Sequence, residues 1–205
     1  MDQHAAEGRT TVPGAPVVGD RTWVRHAALF LGGQTFSLFG SSLVQYAILW
    51  HLTLTTQSGV VLMLATVAGF LPQAVVSVFG GVWADRHDRR LLIMGSDAVI
   101  AATTLGLVVV LLSGVDDLWP VYVALAIRSI GAGIQTPAVG AFIPQIVPAD
   151  RLMRVNGLNS SLQSGSMLLS PAVAAALYAA FGLQAVLLVD VVTAVIGIGL
   201  VALIR

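Results

Sequence analysis

Six long apolar runs divide the chain, at about 27–50, 59–83, 91–113, 118–143, 157–181 and 184–204. Each reaches the roughly 20 residues that a helix needs to cross a hydrocarbon core. None alternates strictly, and all exceed the roughly 9–11 residues of a membrane barrel strand. Inside a bilayer, backbone polar groups must be satisfied within the element itself. The pattern therefore predicts an all-α polytopic protein with six transmembrane helices over residues 25–205. Residues 1–24 are polar and contain Pro13, Gly14, Pro16 and Gly19. They are predicted to be a disordered cytoplasmic tail. The first apolar run is too long for a signal-peptide core of about 7–15 residues.

Polar positions inside the runs keep helical spacing. Gln34, Ser37, Ser41 and Gln45 share one face of span one. Thr66, Gln73 and Ser77 form a stripe on span two. Arg128 and Gln135 do so on span four, and Asn156, Asn159, Gln163, Ser166 and Ser170 on span five. One such stripe is ordinarily interhelical glue. Four together favour a shared water-filled cavity, with Gln34, Gln45, Gln73, Arg128 and Gln163 as its lining. Pro72, Pro137 and Pro171 loosen their helices locally.

Composition sharpens the class. Charged residues make up 10% of the chain and hydrophobic ones 57%, against about 25% charged in a soluble domain. Mean hydropathy is +0.89. Zero net charge gives no reason to expect a nucleic-acid partner. The chain has no cysteine, which excludes disulfides, thiolate metal sites and cysteine nucleophiles.

All ten basic residues are arginine, and their placement sets the topology. Arg9, Arg21 and Arg25 precede span one. Arg86, Arg89 and Arg90 follow span two, Arg151 and Arg154 follow span four, and Arg205 follows span six. The intervening connections hold none. By the positive-inside rule this side is the cytoplasm, so both termini are expected there, in a cell membrane.

Three charges fall within the spans. Arg128 lies near the middle of span four, where an arginine costs about 2.5–3.5 kcal/mol on the insertion scale and needs a cavity or an acidic partner. Asp97 lies near the cytoplasmic end of span three, and Asp190 at similar depth from the outer end of span six. Opposite placement of this kind suits two inverted three-helix repeats. Either acid is a candidate proton carrier or, alternatively, a helix anchor. His51, at the outer end of span one, reads as a solvated interfacial residue. There is no glycine-rich phosphate loop, no metal-spaced histidine pair and no matched nucleophile and base, so no enzyme and no cofactor are expected.

The string Gly81-Val-Trp-Ala-Asp85-Arg86-x-x-Arg89-Arg90 resembles the loop 2–3 motif of the major facilitator superfamily. Trp83 stands where leucine is usual and Asp88 where a second glycine is usual. Arg128-Ser-Ile-Gly131-Ala-Gly133 resembles the family's span-four arginine segment. Gly165-x4-Ser170-Pro171 resembles its antiporter bend, one residue longer and with serine in place of glycine. The blocks ADRHDRR, IRSIGAG and SLQSGSMLLSPAVAA are most similar to macrolide-efflux exporters. The resemblance implies the amino-terminal half of a twelve-span, proton-coupled exporter of an amphipathic drug. It makes Gly81, Asp85, Arg86, Arg89 and Arg90 a gating motif. The partners it implies are the lipid bilayer, a small amphipathic substrate, protons, and a missing carboxy-terminal half or second six-helix bundle. The other reading is a non-transporting six-helix membrane subunit.

Overall fold

The computed structural model describes residues 22–115 and 117–204. Residues 1–21 of the predicted tail, Arg205 and the side chain of Asp85 lie outside the described residues. Among the described residues there is no strand. Five α-helices follow in order: α1 (Thr22–Thr56), α2 (Gly59–Arg86), α3 (Arg89–Leu112), α4 (Trp119–Ile146) and α5 (Leu152–Ala202). A single 3-10 turn, Ala149–Arg151, precedes α5. Helices α1, α2, α3 and the α5 segment are long and apolar enough to cross a membrane. Helix α4 matches α2 in length at 28 residues, but Arg128, Ser129, Gln135 and Thr136 interrupt its apolar run.

The turns are shorter than the sequence suggests. Only His87 and Asp88 separate α2 from α3. Asp88 closes this turn by capping α3: its carboxylate accepts from the backbone N–H of Arg90 (2.9 Å) and Leu91 (3.4 Å). These are two of the donors that a helix start leaves free. The break expected between 181 and 184 is present and tighter still. The chain breaks there: Gly182 adopts a non-helical φ 78° and ψ 178°, so the 51-residue α5 is two helical arms that meet at a kink. That conformation is open essentially to glycine alone, and the uncharged segment supplies nothing else to stop a helix.

Helix α1 packs along α5, α2 along α4, and α3 against both α4 and α5. Glycines permit the closest approaches. A Cβ on Gly33 would come within 3.0 Å of the Gly197 carbonyl, and one on Gly133 within 2.9 Å of the Gln73 carbonyl. Backbones that meet this closely are how packed membrane helices gain dispersion contact.

The core is layered along the bundle axis. At one end Ala27, Phe30, Ile93, Phe142, Ile143 and Val201 form an apolar cluster. At the other, Leu43, Val44, Ile48, Leu107, Leu125 and Leu187 form a second. Between them lies a buried polar layer: Gln34, Ser37, Asp97, Thr104, Arg128, Ser129, Gln135 and Asp190. Outward, α2 is ringed by exposed apolar side chains such as Val60, Met63, Phe70, Val78 and Phe79. A surface this apolar suits hydrocarbon rather than water.

Candidate functional site

The polar layer contains two hydrogen-bonded nodes on the same three helix faces. In the first, Asp97 of α3 accepts from Ser37 Oγ of α1 (2.5 Å) and from Gln135 Nε2 of α4 (2.8 Å). The same Gln135 amide lies 3.5 Å from Gln34 Oε1. In the second, Asp190 of α5 accepts from Arg128 Nη1 (2.5 Å), Thr104 Oγ1 (2.8 Å) and Ser41 Oγ (3.2 Å). Arg128 also donates to Thr104 Oγ1 and to the Ser41 carbonyl. The registers match: positions 37 and 41 on α1, 97 and 104 on α3, and 135 and 128 on the antiparallel α4. These steps of four and seven keep each pair on one helix face.

Arg128 is thus ion-paired and 6% exposed, opposite an Asp190 that is fully buried. Such a pair is stable in low dielectric only when its remaining donors and acceptors are met. Here two hydroxyls and a carbonyl meet them.

Beside the layer, α1, α2 and α4 enclose a pocket of about 210 Å³. Its polar lining includes Ser41, Gln45, Gln73, Arg128, Ser129 and Gln135, with Phe70 and Ile100 as apolar walls. Next to Pro72, the Gln73 backbone N–H donates to Ser129 Oγ at 2.9 Å, tying α2 to α4 across this pocket. Of the residues expected to line a cavity, Gln45, Gln73 and Arg128 meet here. Gln34 is buried beside the Asp97 node instead. Gln163 is exposed on α5, away from the pocket. In the bend motif Ser170 is fully buried and Pro171 lies within α5. Gly165 has open space where a Cβ would stand.

The basic turn clasps helix ends. Arg89 donates from Nε to the Ala84 carbonyl (3.1 Å) and from Nη1 to the Ala141 carbonyl of α4 (2.9 Å). Arg90 donates from Nη2 to the carbonyl of Ala202, the last residue of α5, at 2.6 Å. That carbonyl is among the acceptors a helix leaves unmet at its C-terminus, where the macrodipole also favours a cation. Arg86 is exposed in the last turn of α2, and Gly81 has open space around its Cα. At the far end of the bundle, His51 Nδ1 and Tyr178 Oη lie 3.0 Å apart and join α1 to α5.

Ser37, Thr104, Gln135 and Asp88 are absent from the expected site residues. Spacing marks Ser37 and Gln135 as members of polar stripes. It does not say which acid they meet, because the partners lie 60 and 38 residues away in the chain.

A profile of the Major Facilitator Superfamily matches residues 30–205. Macrolide efflux protein A of Streptococcus pyogenes is 43% identical over 173 residues, covering 84% of this chain and 43% of that protein. The Enterococcus faecalis protein of the same name is 43% identical over 137 residues, 67% of this chain and 42% of its own. Multidrug resistance protein MdtG of Escherichia coli O1:K1 / APEC is 29% identical over 161 residues, 77% and 37% of the two chains. The chain spans less than half the length of these relatives. The likeness is to transporters and not to enzymes.

Proposed function

Because the chain belongs to the Major Facilitator Superfamily, we propose that it forms the amino-terminal half of a cell-membrane exporter. The exporter expels a bulky amphipathic compound, of the macrolide kind, in exchange for protons. In this reading the chain crosses the bilayer six times, α4 and the two arms of α5 included, with both ends in the cytoplasm. A second six-helix bundle completes the substrate path, since alternating access needs two bundles rocking about a midplane site.

The observation that carries the reading is the pocket at the α1–α2–α4 junction. Its volume of about 210 Å³ holds only part of such a compound, and it presents amides and hydroxyls beside apolar walls, a lining suited to both polar and greasy surface. Its charge is internally cancelled, because Arg128 is paired with Asp190. The substrate is therefore recognised by hydrogen bonding and apolar contact rather than by a free cation. Arg89 and Arg90, clasping α4 and the end of α5, form the inner latch with Asp85. Charge-assisted bonds of this type contribute about 1.5–3 kcal/mol each, enough to bias one state and still be released. Pro171, which leaves a helix hydrogen bond unmade, and the nearby Gly165 and Ser170 make the first arm of α5 easier to flex.

Expression of the gene in a macrolide-susceptible, efflux-deficient host tests this. Accumulation of radiolabelled macrolide should fall severalfold and recover when the proton gradient is collapsed. Gln73→Leu, which removes a pocket amide while keeping the side-chain volume, should restore most of the accumulation. Equal accumulation with and without the gene would overturn the reading.

A further inference from the structure

The two buried carboxylates differ in kind. Asp190 is compensated: one oxygen accepts from Arg128 and Thr104, the other from Ser41. Asp97 is 1% exposed and bonds no cation. Its Oδ1 receives both donors, Ser37 and Gln135. Its Oδ2 is buried with no hydrogen-bond partner among the described residues, and the Nε2 of neighbouring Gln34 is in the same condition. The groups facing Asp97 are neutral on α1 (Gln34, Ser37) and on α4 (Gln135). From α5, Asp190 acts on it as a like charge, and Asp190 is itself paired with Arg128 of α4. An ionised Asp97 thus leaves a buried charged oxygen unmatched by any described side chain, which low dielectric penalises heavily. A proton on Oδ2 removes that charge without disturbing the two bonds at Oδ1.

Resting on the exporter reading above, we infer that Asp97 is the side chain that takes up and releases the driving proton, while Asp190 stays paired with Arg128. The step is the making and breaking of one O–H bond at Oδ2. The proton arrives from the outer side and leaves to the cytoplasm, with no change of redox state. Gln135 joins this step to the cargo. Its side chain lines the pocket, and its amide holds Asp97 Oδ1 at 2.8 Å. A compound seated in the pocket and a proton on Asp97 therefore act on the same amide.

Two measurements on the protein as its gene encodes it, reconstituted in lipid vesicles, test the assignment. In infrared pH-difference spectra, the wild type should show a protonated-carboxyl carbonyl band that disappears as pH rises, and Asp97→Asn should lack it. In transport, Asp97→Asn should bind macrolide and exchange it between the two sides at near wild-type rates. Its accumulation in response to an imposed pH gradient should drop at least tenfold. Should Asp97→Asn not fold, Asp97→Glu replaces it: that variant should keep gradient-driven accumulation and shift the band's frequency. An unchanged band in either variant, or an undiminished gradient response in Asp97→Asn, overturns the inference. If the wild type carries no macrolide at all, the exporter reading fails instead, and the band alone still decides whether Asp97 titrates.

Discussion

At the scale of single residues, the balance turns on who meets the buried charges. Arg128→Met removes the cation from a fully buried Asp190. Breaking one side of a buried pair costs about 3–5 kcal/mol, so its unfolding midpoint in detergent should fall sharply. The double variant Arg128→Met with Asp190→Leu removes both charges and should recover most of that loss. An equal or larger loss in the double variant would refute the pairing as the source of stability. Sequence alone reveals that Arg128 needs a cavity or an acidic partner, because an arginine deep within a span is costly without one. It does not reveal which acid answers, since Asp97 and Asp190 both sit at plausible depth. Span-one spacing likewise finds the polar face of α1 but cannot divide it. Gln34 and Ser37 turn out to be buried against α3 and α4, while Ser41 and Gln45 reach the pocket. The division follows from how α1 crosses its neighbours, which no local pattern encodes.

At the scale of elements, the charged connections and the uncharged break between 181 and 184 are both marked in the sequence, by different signals. Asp88 followed by Arg90 and Leu91 carries its own helix-start signal, and α3 begins where that cap sits. Gly182 carries a quieter signal, a glycine in the gap between two apolar runs with no charge or proline beside it. Its φ of 78° with ψ of 178° makes a sharp prediction. Gly182→Ala forces a side chain into a region costing about 1–3 kcal/mol. Gly199→Ala, in the same helix and with open space around it, should be neutral or stabilising by about 0.5–1 kcal/mol. Thermal unfolding of both variants in one detergent checks the contrast; equal midpoints would mean that the bend is not set by this glycine.

At the scale of the whole molecule, orientation is open to direct measurement, and the absence of native cysteine makes the experiment clean. Single cysteines at Thr55 and Ser113, both exposed at one end of the bundle, should react with a membrane-impermeant maleimide added to intact cells. Cysteines at His87 and Asp150, exposed at the opposite end, should react only after the cells are opened. Labelling of His87 and Asp150 from opposite faces would contradict the proposed topology. Arginine placement is the sequence's most direct statement about this level of organisation, and the labelling decides it. The apolar–polar–apolar layering is less so. It emerges only when the helices are stacked, with the polar middle of each one brought to a common height.

The second arm of α5 is a stiff rod that carries Asp190 partway along and ends at Ala202, which Arg90 grips. The two points lie about 18 Å apart at 1.5 Å of rise per residue, with no slack in between. A tug at that tip therefore reaches the ion pair as mechanical displacement, like a bell-rope to its clapper. Neither point can shift along the rod's axis while the other stays at rest.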